Sequence, residues 1–163
     1  MTYISSMKAA SIADLKKELK EKPAPELIEL CLRLARFKKD NKELLSYLLF
    51  EEHNWPAYVQ SIKEEMDEAF EDMNTGSLFW VKKSLRKILR LTNKHIRYMG
   101  EKEAEVDLLL YYITKIKEAK IPIKKSTQLN NLYQSQVKKI EAAIASLHED
   151  LQHDYYRQLE ALE

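Results

Sequence analysis

The chain has 163 residues, a mass of 19.3 kDa and a formal net charge of +1, from 27 basic and 26 acidic residues. A hydrophobic fraction of 45% with 33% charged residues excludes a disordered chain, and the length suits one domain with its own core. Two glycines, against an average usage of about 7%, argue against tight hairpins and for long helices.

A reducing, cytoplasmic environment is predicted from the cysteine count and from the first residues. Cys31 is the single cysteine, so no intrachain disulfide can form, and its apolar neighbours predict a small buried side chain. The segment "MTYISSMKAAS" has neither the charged region nor the apolar region of a signal peptide. No apolar run approaches the roughly 18 residues that would span a bilayer.

The first two predicted helices are divided by Pro23 and Pro25. Ser11 and Asp14 resemble a capping box that opens a short helix to about Lys22. The second helix reads "ELIELCLRLARF", from residue 26 to 37, and is apolar around most of its circumference. Its polar residues fall on one narrow stripe: Glu26, Glu29, Arg33 and Arg36.

The third predicted helix, "ELLSYLLFEE", is again apolar on most sides, whereas the fourth, residues 58–73, has a single apolar stripe. The fifth runs over 78–99 and ends at Gly100, and the sixth, 101–119, is nearly all apolar from 106 to 116. After "KIPIKKST", one long last helix is predicted over 127–162, because its apolar residues from Tyr133 onwards are spaced by 4, 3, 4, 3 and 4 positions.

These patterns predict an all-α protein of about seven mostly antiparallel helices with a long C-terminal helix. The second, third and sixth helices are expected to lie inside, covered by neighbours on both sides. We expect a single domain over residues 1–163, with a sub-boundary in the 120–126 loop as the alternative. A multi-helix bundle and a short α-α superhelix with HEAT-like stacking both satisfy the pattern.

No catalytic or metal-binding motif is present in the sequence. Two glycines rule out a glycine-rich phosphate loop, and no G-x-S-x-G elbow occurs. Only Asp150 and His153 have the acid-to-histidine spacing that a di-iron bundle needs twice. His95 is in phase with the apolar stripe of the fifth helix and is expected to be a hydrogen-bonded core residue. We therefore predict no enzyme activity, no metal and no cofactor.

Charge is strongly segregated within residues 51–100. Residues 51–72 hold eight acidic side chains against Lys63 alone, whereas residues 73–100 hold seven basic side chains and no acidic one. Five of the basic residues lie about 200° from the buried stripe of the fifth helix and are predicted to face solvent. They are the candidate partner-binding residues: Lys83, Lys87, Arg90, Lys94 and Arg97.

Three functions are consistent with this charge pattern. The favoured hypothesis is a non-catalytic protein-interaction or scaffold module that uses the basic face. Nucleic-acid binding by the same face is the alternative, although a pI of 7.8 does not favour it, and an enzyme or metal-binding helical bundle is a third. Membrane binding is not expected, because the core is predicted to need Phe79, Trp80 and Leu85. A dimer through the C-terminal helix is a further alternative.

Overall fold

The computed structural model describes residues 8–163, which form eight α-helices and no β-strand. The predicted all-α class is confirmed, with eight helices where about seven were expected. Most of the N-terminal segment used in the signal-peptide prediction lies outside the described residues. The helices are α1 (Ile12–Lys20), α2 (Ala24–Phe37), α3 (Lys39–Phe50), α4 (Trp55–Glu71), α5 (Leu78–Met99), α6 (Lys102–Glu118), α7 (Thr127–Ala145) and α8 (Glu149–Glu160).

Local capping explains where several helices begin and end. Ser11 accepts a hydrogen bond from the Asp14 backbone N–H at 3.2 Å and donates one to the Asp14 carboxylate at 2.8 Å, as the sequence predicts. Gly100 ends α5 with a φ of 63°, in the left-handed region that glycine adopts without strain. Its N–H bonds to the carbonyl oxygen of Ile96 at 3.0 Å. A side-chain hydrogen bond at Ser11 and backbone freedom at Gly100 therefore place these termini.

The chain divides into two compact units, a smaller one that ends at Ser46 and a larger one over Tyr47–Glu163. The division falls inside α3 and not in the 120–126 loop where a sub-boundary was considered. That loop contains a short 3-10 turn, Ile123–Lys125, and joins α6 to α7, which pack against each other within the larger unit.

The larger unit is a helical bundle built around α6. This helix packs against α4, α5, α7 and α8, and its buried residues lie on several sides, as the sequence predicts. Tyr112 donates a hydrogen bond to the Leu85 carbonyl oxygen at 2.8 Å, which joins the second half of α6 to the first half of α5, so the two helices run antiparallel. The buried residues of α6 are Ala104, Val106, Leu108, Leu109, Leu110, Tyr112, Ile113 and Ile116.

Polar contacts join α4 to α6 at the half-buried edge of this core. Lys63 Nζ lies 2.7 Å from Asp107 Oδ1, and Tyr111 donates a 2.6 Å hydrogen bond to Asp67 Oδ1. Lys115 Nζ lies 3.1 Å from the same Asp67 oxygen. Lys63 contacts Asp107, and Asp67, four residues later, contacts Tyr111, also four residues later. The two helices therefore run parallel, as expected when α5 reverses the chain direction between them.

The prediction of one long C-terminal helix is wrong, because the chain turns between Ala145 and Glu149. Ser146 and Leu147 close α7 with turn hydrogen bonds, and His148 has an extended ψ of 144°. The His148 Nδ1 atom accepts from the Asp150 N–H at 3.3 Å, so this histidine caps α8. The turn brings Tyr155 of α8 within 3.1 Å of Glu103 on α6, which a continuous helix would not achieve.

The predicted interior positions of α2 and α3 are also wrong. No side chain between residues 8 and 46 is buried, and in α2 only Leu27 and Ala35 are half-buried. Cys31, expected to be buried, is exposed. A unit this short has too little chain to enclose apolar residues on all sides of a helix. An apolar pattern around most of a helix therefore did not predict that the helix is buried. The sequence pattern does not specify which other element would cover that apolar surface.

Candidate protein-interaction face

The five candidate residues lie along one side of α5, which we call the α5 basic face: Lys83, Lys87, Arg90, Lys94 and Arg97. Lys94 is half-buried and the other four are exposed. On the opposite side the predicted stripe is buried at Val81, Leu85, Ile88 and Thr92, and its first residue, Leu78, is half-buried. The face extends over 14 residues of helix, roughly 21 Å at 1.5 Å per residue.

The helix that carries the face is fixed at both ends and along its buried side. Ser77 caps its first turn by accepting from the Trp80 N–H at 3.5 Å, and Gly100 ends it. The Thr92 hydroxyl donates to the Ile88 carbonyl oxygen at 2.8 Å, so the buried stripe contains no unsatisfied hydroxyl at that position. A rigid helix holds the cations at a constant spacing of three or four residues.

Acidic neighbours among the described residues do not neutralise four of the five cations of the face by direct contact. Within residues 8–163, none of Lys83, Lys87, Arg90 and Arg97 forms an ion pair. Four other charged residues of the 51–100 segment, Glu65, Asp72, Lys82 and Arg86, form no ion pair in that range either. Lys82 Nζ instead lies 2.8 Å from Gln128 Oε1 of α7.

Two aromatic side chains extend the face at its N-terminal end. Phe79 is 62% exposed and Trp80 is 43% exposed, with ring centroids 5.2 Å apart in an edge-to-face arrangement. Lys83 Nζ lies 5.3 Å from the Trp80 ring centroid. The expectation that the core needs Phe79 and Trp80 is therefore wrong, although Leu85 is buried. A sequence signal existed, since Phe79 lies four residues before Lys83 and shares its side of the helix.

A polar aromatic cluster lies under the other end of α5. His95 is buried, and its Nδ1 atom lies 2.7 Å from the Tyr58 hydroxyl, which confirms the predicted hydrogen-bonded core histidine. The Tyr58 ring is 4.8 Å from that of Tyr47. The Tyr47 hydroxyl is buried without a hydrogen-bond partner among the described residues. Burial, followed by the nearby Glu52 and Glu101 charges, raises the Tyr47 pKa.

The remaining histidines and acids do not assemble into a metal centre. Residues 8–163 contain no cluster of three or more His, Cys, Asp or Glu side chains placed to bind an ion. His53 is exposed, and His148 is occupied by its capping role. In the same part of the chain, no helix combines the length and the apolar character needed to cross a bilayer.

Comparison with known proteins assigns no family to this fold. The sequence matches no protein-family model, and neither a curated protein nor a solved structure matches the chain.

Proposed function

We propose that the protein is a non-catalytic interaction or scaffold module that binds an acidic segment of another protein through the α5 basic face. The observation that carries the proposal is the charge, unpaired among the described residues, of four exposed residues of this face, Lys83, Lys87, Arg90 and Arg97. Seven basic residues and no acidic one occur between residues 73 and 100, and four exposed cations have no ion-pair partner within residues 8–163. An acidic helix or extended segment laid along the face would supply the missing counter-charge over roughly 21 Å.

The exposed aromatic pair gives the same face an apolar anchor. Tryptophan and arginine are enriched among interface residues that contribute most to binding, whereas cations at a solvated rim mainly raise the association rate. We therefore expect Phe79 and Trp80 to supply contact area and the basic residues to orient the partner. Such an interface should weaken with salt, because exposed charges are screened over about 8 Å at physiological ionic strength.

The test is a matched pair of charge-reversal variants of the full chain. In the face variant, Lys83→Glu, Lys87→Glu and Arg90→Glu reverse three exposed charges. In the control variant, three exposed lysines elsewhere in the larger unit are reversed with the same change in net charge: Lys125→Glu, Lys138→Glu and Lys139→Glu. Both variants should melt close to the wild type, since all six side chains are solvent-exposed.

Partner capture from a nuclease-treated extract of the host cell then separates the outcomes. The proposal predicts that wild type and control retain the same acidic protein and that the face variant loses it. Equal capture by all three chains would remove the α5 basic face from consideration. Equal loss in both variants would show that net charge, and not this face, governs binding.

Nucleic-acid binding is the second candidate, because Trp80 is exposed beside Lys83 and could stack on an unpaired base. The near-neutral charge of the whole chain and the acidic composition of α4 oppose it. This candidate predicts tight association of a labelled single-stranded oligonucleotide at low salt and a steep loss as salt rises. No shift in anisotropy at low salt would eliminate it.

A cytoplasmic location is part of the proposal. It is supported by the lone, exposed thiol of Cys31, which suits a reducing compartment. Fractionation of host cells with an antibody to the chain would test it, and recovery with extracellular material would contradict it.

A further inference from the structure

The surface of α2 combines exposed apolar side chains with a charged stripe. Leu30 is 41% exposed, Leu34 62% and Phe37 78%, and their spacing of four and three residues places them on one side of the helix. Contiguous apolar surface of this kind on a soluble chain usually marks an interaction site. An open groove of about 690 Å³ follows the charged stripe, and its lining residues are Lys22, Pro25, Glu26, Glu29, Leu30, Arg33 and Arg36.

The charges of the stripe are arranged symmetrically along the helix. Glu26 and Glu29 occupy its N-terminal half, and Arg33 and Arg36 occupy its C-terminal half. Glu26 and Arg36 are each five residues from Cys31, and Glu29 and Arg33 are each two residues from it. If the helix is reversed end to end about residue 31, each acidic residue takes the place of a basic one. The stripe is therefore complementary in charge to an antiparallel copy of itself.

We propose that α2 pairs with α2 of a second copy of this chain, antiparallel, about a two-fold axis near residue 31. In that register Glu26 lies opposite Arg36 of the second copy and Glu29 opposite Arg33, twice over, because a two-fold contact repeats every pair. The exposed Leu30 and Phe37 beside the stripe then lose contact with water. A parallel arrangement would place like charges opposite each other.

Self-association is favoured over a foreign partner by the charge content of the stripe. Two acids and two bases give it no net charge, so it offers no steering toward an acidic or a basic protein, unlike the α5 basic face. Specific two-chain contacts usually bury at least about 1,200 Å² in total. One 14-residue helix pair offers less, so exposed Ile12, Leu15 and Leu19 of α1 would add area, and we expect a dimer that dissociates on dilution.

Two single charge reversals test the register without depending on any other partner. Glu29→Arg places two arginines opposite each other in a homodimer, and Arg33→Glu places two glutamates opposite each other. Each single variant alone should therefore be monomeric by sedimentation velocity at concentrations where the wild type is dimeric. An equimolar mixture of the two should dimerise again, since every reversed residue then faces an opposite charge.

The mixture separates pairing between chains from effects within one helix. Mixing cannot restore an interaction between residues 29 and 33 of the same chain, because each chain keeps its own substitution. The double variant with both changes should also dimerise with itself. Helical content measured by circular dichroism should be unchanged in all four proteins. The charge-reversed α5 variant should dimerise like the wild type, so failure of the proposed function leaves this test intact.

The proposal is overturned if the wild-type chain sediments as a monomer up to its solubility limit. It is equally overturned if the single variants dimerise as well as the wild type, or if the folded single variants remain monomeric after mixing.

Discussion

Tyr111 of α6 and Asp67 of α4 are joined by a 2.6 Å hydrogen bond, and Lys115 lies 3.1 Å from the same carboxylate oxygen. The hydrogen bond from Tyr111, together with Lys115, lowers the Asp67 pKa below its ordinary value of 3.8. Burial, followed by the bond to Asp67, raises the Tyr111 pKa to about 12. This pair joins the parallel helices α4 and α6 at the half-buried edge of the core.

Replacing Tyr111 by Phe should lower the free energy of unfolding by about 1 kcal/mol. A hydrogen bond to a charged group contributes roughly 1.5 to 3 kcal/mol when buried, and partial exposure of this pair reduces that figure. Urea unfolding of the full chain measures the change. Tyr156→Phe is the matched control, because its hydroxyl has no hydrogen bond to a described residue. A loss as large in the control would refute the assignment.

The stabilising effect of the Tyr111–Asp67 pair should depend on pH at both extremes. The folded-state Asp67 pKa is lowered, so its contribution is present above 3.8 and is lost as pH falls through the folded value. The folded-state Tyr111 pKa is raised, so its contribution is complete below 10.0 and is lost as pH rises through about 12. The stability difference between wild type and Tyr111→Phe should therefore shrink in acid; a difference independent of pH would contradict this.

Tyr47→Phe should leave stability unchanged or raise it by about 1 kcal/mol. The ring is only 1% exposed, and the hydroxyl has no hydrogen-bond partner among the described residues, so removing it relieves an unsatisfied buried group. Tyr112→Phe is the contrasting variant. Its hydroxyl donates to the Leu85 carbonyl oxygen, so that variant should lose about 1 kcal/mol in the same denaturation experiment. Equal losses would show that the Tyr47 hydroxyl has a partner in solution.

Gly100→Ala should destabilise the chain by about 1 kcal/mol through backbone strain alone. The φ of 63° is unfavourable for alanine, whereas a Cβ atom at this position would meet no atom within 4 Å. Gly100→Asn should cost less, because asparagine tolerates the left-handed region. Thermal unfolding of the two variants ranks them, and an asparagine variant less stable than the alanine variant would rule out strain as the cause.

The fold of the larger unit was largely predictable because the apolar pattern of each of these helices matches the surface that it buries. Single apolar stripes in α4 and α5 and the continuous apolar run of α6 each correspond to a buried surface. The α2 pattern failed because its apolar residues need a cover that the smaller unit cannot supply. The turn at His148 was missed because the spacing of Ile144, Leu147 and Leu151 continues the heptad pattern across it.

The sequence predicted the exposure of the basic residues of the candidate site but not the exposure of its two aromatic residues. Periodicity placed the five basic residues opposite the buried stripe, and four of them are exposed. Phe79 and Trp80 were assigned to the core by residue type, although their helical positions lie beside Lys83. The charge pattern did not indicate which helix the acidic residues of α4 contact. Asp67 contacts α6 through Tyr111 and Lys115, because parallel packing of α4 and α6 brings these groups together.

The most direct test of the central claim is the emission of Trp80 during titration with an acidic amphipathic helical peptide. Trp55→Phe leaves Trp80 as the only tryptophan, located next to Lys83 on the proposed binding face. We expect a saturable change in emission that weakens with salt and is absent when Lys83, Lys87 and Arg90 are replaced by glutamate. Unchanged emission at saturating peptide and low salt, or the same change in the charge-reversed chain, would contradict the account.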